Sequence, residues 1–215
     1  METRNLTMVV VNGEYKVAQY GQWDGYPDGQ GLTALEFLRS QFDRKTFLAR
    51  LAESFIPTDE HIDAMYRSAG ATEEAISSGM INMDVSARFK LANPSLSRDT
   101  AANILSLIQD STEPVPLRTN VDYAADSLSC EWGYVIDLDK NTFEVFKGAN
   151  TAPLTDGERF ASLALPDDRP TFNGEGDTKY SYFQIKLAVE WPLAALPSDE
   201  EFLGEFASDD EESEA

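Results

Sequence analysis

"NLTMVVVNGEYKVAQY", residues 5–20, decides the fold. Two runs rich in β-branched and aromatic residues flank Asn12-Gly13. Asn-Gly between such runs is the strongest short-range hairpin signal, because a type I′ turn needs positive φ at both central positions. Val9, Val10 and Val11 stand in succession, so the first strand is expected to be partly covered on both faces. Beyond this hairpin the chain turns helical. "LTALEFLRSQF" places Leu35, Leu38 and Phe42 at helical spacing. Asp43 is an N-cap candidate for "RKTFLARLAES", and Ile56-Pro57 ends that helix. Thr58 caps a third helix, with Ile62, Met65 and Tyr66 inward. "TEEAISSG" predicts a short helix, residues 81–96 stay ambiguous, and Ser97 is read as the cap of "RDTAANILSLIQD".

A second hairpin follows in "CEWGYVIDLDKNTFEVFKG". Trp132, Tyr134, Ile136 and Leu138 alternate on one face, and Phe143 and Val145 answer across the turn. Residues 148–178 read as a long surface connection. "YSYFQIKLAVEW" predicts a last strand with Phe183, Ile185, Leu187 and Val189 on one face. Strands at both ends around a helical middle give an α+β class. The expected architecture is an antiparallel sheet, built from the N-terminal and C-terminal-half hairpins, packed against that helical middle. Residues 1–197 are read as one globular domain. Residues 198–215 are read as an acidic segment, a short helix capped by Ser198 and then a disordered tail.

The chain of 215 residues carries 38 acids against 17 bases, a formal charge of −21. Nine of those acids and no base lie in 198–215. Such a balance argues against direct nucleic-acid binding, which needs basic residues to neutralise phosphates, and against an anionic membrane surface. No run of about 18 apolar residues predicts a membrane span, and the polar start does not fit a secretory signal. Cys130 is the one cysteine and fits a reducing, cytoplasmic setting. It is expected to be a buried apolar residue, and His61 to face solvent. No cofactor and no metal site is expected. "DLDKN", 137–141, lacks the glycine and glutamate of a calcium loop and is read as a hairpin turn.

"YGQWDGYPDGQG", residues 20–31, lies between hairpin and helix. Its first explanation is structural. Asp24-Gly25 and Asp28-Gly29 make two turns, Tyr26-Pro27 is extended and could be cis, and Trp23 and Tyr26 pack on the core. Its second explanation is a site. Continuing the Asn-Gly register places Arg4 opposite Gly21 and Thr3 opposite Gln22, with Arg4 in reach of Asp24. Thr3, Arg4, Tyr20, Gln22, Trp23, Asp24 and Tyr26 are therefore the candidate binding residues.

"TRNLT", 3–7, together with this stretch resembles a widespread group of bacterial, phage and fungal proteins. Members share a TR[NS]LT start and a YxQ[WF]DGYPxGxG motif, and the second hairpin and "LPSDEEF" resemble recurring parts of it. The group has no assigned chemistry, so the resemblance carries over no catalytic residue. The favoured function is a binding protein using the 20–31 loop, with another protein or a small ligand as partner. One alternative is a hydrolase-like enzyme using Asp24 with Arg4 and Tyr26. Another is an acidic phage-type inhibitor that imitates nucleic acid.

Overall fold

Asn12 and Gly13 both take positive φ, 54° and 73°, and join strands β1 (Glu2–Val11) and β2 (Glu14–Trp23). The computed structural model describes residues 2–174 and 178–207, so the tail expected to be disordered, 208–215, lies outside the described residues. The second hairpin forms from β3 (Trp132–Asp137) and β4 (Thr142–Lys147). A small ribbon of β5 (Phe172–Asn173) and β6 (Lys179–Tyr180) follows, then β7 (Lys186–Pro192). The main sheet has the order β2-β1-β3-β4-β7.

The α+β class holds, but the sheet is mixed. β1 and β3 pair in parallel, from Asn5↔Trp132 to Val10↔Asp137. The helical middle is long enough to act as a crossover, which returns the chain to the end of the sheet where β1 began. Both hairpin tips then lie side by side. The Asp139 carboxylate accepts from the backbone N–H groups of Asn12 and Gly13, at 2.9 and 2.7 Å. "DLDKN" is thus a hairpin turn, with Asp137 accepting from the amides of Asp139 and Lys140.

Helix α1 (Leu32–Glu36) is flanked by π-wound turns at Pro27–Gly31 and Phe37–Gln41. α2 (Arg44–Glu53) starts where the Asp43 side chain accepts from the Thr46 amide. α3 (Asp59–Ser68) starts with Thr58 and His61 in a capping box, and His61 is exposed. α4 (Glu73–Ser78) and α5 (Met83–Ala92) follow, capped by Thr72 and Asn82. Ser97 does not cap the next helix. Its hydroxyl accepts from the Asp99 amide within a turn, and a left-handed Ala101, φ 42°, delays α6 to Ile104–Asp110. α7 (Asp199–Gly204) is capped by Ser198.

Alternation along the strands divides the core in two. One face of the sheet carries Val9, Trp132, Tyr134, Ile136, Leu138, Phe143 and Val145 against α1, α2, α6 and α7. The expected face of the second hairpin is therefore formed. Phe202 of α7 is fully buried and stacks near-parallel on Phe143 at 6.1 Å, so the segment beginning at Ser198 is part of the core rather than an appendage. The opposite face carries Leu6, Met8, Val10, Val135, Phe146, Phe160 and Ile185. Successive valines of β1 point to the two cores, as their run implied. A small third core of Ala69, Val85, Phe89 and Leu96 ties α3 to α5.

Two expectations in the C-terminal half are corrected. Val145 faces Val189 but Phe146 faces Leu187, so Ala188 is an extra residue in β7. That bulge sends Ile185 to the second core and Val189 to the first, instead of placing both on one face. The 148–178 connection is also more than surface loop, because it buries Phe160 and carries Arg159 onto the second face. The Arg159 side chain is 10% exposed, between Asp137 at 4% and Glu144 at 3%. Nη2 donates to Asp137 and to Glu144, and Nε donates to Glu144. Burial alone would raise the Asp137 pKa. The guanidinium and the two turn amides outweigh it and hold the carboxyl below its usual range.

Arg159→Met would leave two buried carboxylates without their cation. The expected loss is about 3–5 kcal/mol, since breaking a buried pair strands its partners, read as a lower urea midpoint. Because Asp137 has a depressed folded pKa, its contribution is complete above the unfolded carboxylate value, about 4. It disappears as pH falls through the lower folded value. The parent's urea midpoint should fall across that acid window, and the variant's should fall less.

Candidate functional site

The 20–31 stretch is closed by its backbone. The Gly25 amide donates to the Thr3 carbonyl at 3.0 Å, and the Tyr134 hydroxyl donates to the Gly25 carbonyl at 2.7 Å. The Gln30 amide donates to the Asp24 carbonyl at 2.9 Å. The glycines permit this closeness. A Cβ on Gly25 would stand 2.5 Å from the Thr3 carbonyl oxygen, and one on Gly29 would stand 2.3 Å from that of Asp24. The left-handed residue of the first turn is Asp24 itself, φ 54°, not Gly25. Aspartate tolerates that region better than most residues. The second expected turn is replaced by the π-wound start of the helix, and the Tyr26–Pro27 bond is trans.

The rings do the opposite of what the structural reading expected. Trp23 is 43% exposed and Tyr26 39% exposed. Trp23 Nε1 donates to Asp99 at 3.3 Å, and Asp99 also accepts from Lys90 at 2.9 Å. The Lys90 hydrogen bond is the main reason why the Asp99 carboxyl sits below its usual pKa.

The candidate residues do not converge on one pocket. The register expectation fails at two irregularities, between Val9 and Val10 and between Glu2 and Asn5. Asn5, not Arg4, therefore faces Gly21. Arg4 turns away from Asp24 and pairs with Glu131, Nε to Oε1 at 3.4 Å, while its amide donates to the same oxygen at 3.1 Å. Arg4 and Tyr20 line a shallow polar recess of about 420 Å³ with Glu2, Asn120, Tyr123 and Ser129. Gln22 is largely buried; its Oε1 accepts from Tyr20 and Arg98, and its Nε2 donates to Glu2. Thr3 is fully buried. Its Oγ1, with Asn5 Oδ1, Thr7 Oγ1 and Gln19 Oε1, belongs to a group of buried oxygens without a hydrogen-bond partner among the described residues. The covering chain is the 95–102 segment, where Ser97 O accepts from Gln19 Nε2.

Tyr26 alone of the candidates lines the large groove. This depression of about 840 Å³ runs between the Tyr26-Pro27-Asp28 corner and the end of α7. Trp132 and Phe206 meet edge to face at 5.4 Å, and Leu128, Tyr182 and Leu203 add apolar surface. The Lys147 ammonium lies 5.8 Å from the Trp132 ring centroid. Glu131 lines the groove and holds Arg4, which lines the recess, so their ion pair divides the two depressions. Reasoning from sequence alone assigned Trp132 to the core and left Tyr182, Leu203 and Phe206 unremarked. Nothing local joins them to Tyr26, because the parallel β1–β3 pairing brings them together.

Cys130 is buried in the second core, as expected, and burial pushes its thiol well above the usual range. Among the described residues, no helix is long and apolar enough to cross a membrane. Comparison of the chain with models of protein families, with curated proteins and with solved structures found no match.

The loop geometry separates positions that sequence alone treats alike. Gly29→Ala should cost about 1–3 kcal/mol, the usual penalty for forcing atoms into packed space. Asp24→Gly should be neutral or stabilising within about 1 kcal/mol, since glycine accepts left-handed φ without strain. Thermal melts of the two variants check the difference.

Proposed function

We propose that the protein is a cytoplasmic binding protein whose site is the groove beside the 20–31 loop. The supporting observation is the position of Tyr26. The loop spends its glycines on tight backbone closure, yet leaves this ring exposed at the edge of an aromatic groove. Ligand sites of this kind combine apolar and aromatic walls with a few placed polar groups, and here those are Asp28, Glu131 and Lys147. Catalysis by Asp24 with Arg4 and Tyr26 has less support, because Arg4 is committed to Glu131 and lines a different recess. The reading extends to the protein group that 3–7 and 20–31 resemble: its glycines serve closure, and its tyrosine before proline serves contact.

Fluorine-NMR screening of aromatic fragments against the full chain tests the reading. Hits should be weakened by Tyr26→Ala by roughly tenfold or more, the scale of a lost aromatic anchor, with little change in melting temperature. Fragments that bind Tyr26→Ala as well as the parent, or that map only to the α3–α5 surface, would refute it.

A further inference from the structure

The charge around the groove points to the chemistry of its occupant. We infer that it takes a basic polypeptide segment: an aromatic or long aliphatic side chain flanked by lysine or arginine. The inference rests on the groove reading above and names the partner class for the same site.

Three observations carry it. First, the lining holds the carboxylates of Asp28 and Glu131 and the ammonium of Lys147; Glu131 is already paired with Arg4, which leaves Asp28 as the uncommitted carboxylate. Asp28 is exposed, and its carboxylate has no hydrogen-bond or ion-pair partner among the described residues. Second, the floor already accommodates a cation, because the Lys147 ammonium lies over Trp132. Tyr26 and Tyr182 offer further ring surface for a guanidinium or ammonium. Third, the field favours a cation. The chain carries −21 overall, and the exposed Asp28 lies in the lining itself. Such a field attracts basic partners and repels acidic ones. A polypeptide fits better than a small enclosed ligand, since Tyr26 and Leu128 are each 39% exposed and the groove is open for a chain to lie across.

The test uses three short fluorescein-labelled peptides and the full chain, read by fluorescence anisotropy at low and high salt. One peptide has a tryptophan flanked by arginines. The second has the same tryptophan flanked by glutamates, and the third keeps the arginines but replaces the tryptophan with serine. The first should bind, weaken with salt, and lose about tenfold or more in affinity with Asp28→Lys, as expected for reversing a charge at a complementary interface. Tyr26→Ala should weaken it by a similar factor. Thermal melts confirm that both variants fold.

Equal binding of the glutamate peptide, with Asp28→Lys ineffective, would overturn the charge assignment. The groove reading would survive if aromatic fragments still required Tyr26. Equal binding of the serine peptide, indifferent to Tyr26→Ala, would reveal only general attraction to an acidic surface and overturn docking in the groove. Failure of the arginine peptide to bind would likewise overturn the inference, while the fragment screen judges the groove separately.

Discussion

The parallel pairing of β1 with β3 is the constraint on which the rest of the molecule depends. It is the only joint in the main sheet among the described residues that does not belong to a hairpin or to the antiparallel β4–β7 edge. It fixes Trp132 beside Asn5 and the two turns beside each other, so that Asp139 can close the Asn12-Gly13 tip. It also sets Tyr134 under the 20–31 loop, where its hydroxyl holds Gly25. A parallel joint must be covered on both faces. The helices supply one cover, and the chain around Ala124, Cys130 and Phe160 supplies the other.

That second cover explains the buried charge. Arg159 precedes Phe160, and the pair arrives on the sheet together. Phe160 fills apolar space against Phe146 at 4.8 Å. Arg159 satisfies two carboxylates that the second hairpin leaves on the same face. Asp137 is needed at the turn to accept from two amides, and Glu144 accepts from the Thr142 hydroxyl. A buried ion cluster is weak evidence for stability in itself. Its geometry does specify one docking of the connection, because no neighbouring residue offers the same planar fork of donors.

Local signals made much of this legible. The Asn-Gly turn, the alternation of the second hairpin, and the caps at Asp43, Thr58 and Ser198 were written in short stretches, each with its own physical cause. Signals failed where distant chain decided the outcome. Ala188 looks like an ordinary strand residue, and only pairing with β4 makes it a bulge. Ser97 has the right side chain for a cap, but the left-handed Ala101 behind it stops the helix from starting. Arg4 is within reach of Asp24 in an ideal register, but the offset strand places Asn5 opposite Gly21 and Arg4 pairs with Glu131 instead. The hairpin could be read from its turn, but the one-residue offset of the stretch between its two irregularities could not.

The 20–31 loop shows why a dense motif need not be a dense site. Close approach of Gly25 to Thr3 and of Gly29 to Asp24 leaves no room for a side chain inside the bend. The rings at 23 and 26 must then point outward, and the same closure that excludes them from the core places them on the surface. Trp23 finds a partner in Asp99. Tyr26 meets no equivalent polar partner among the described residues. It stands at the edge of a groove whose other walls come from Leu128, Trp132, Tyr182 and the end of α7. Tight backbone closure and an exposed ring are therefore compatible features of this motif. The glycines allow the close approach of the bend, the ring of Tyr26 stays exposed outside it, and that ring gives the groove a wall opposite the end of α7.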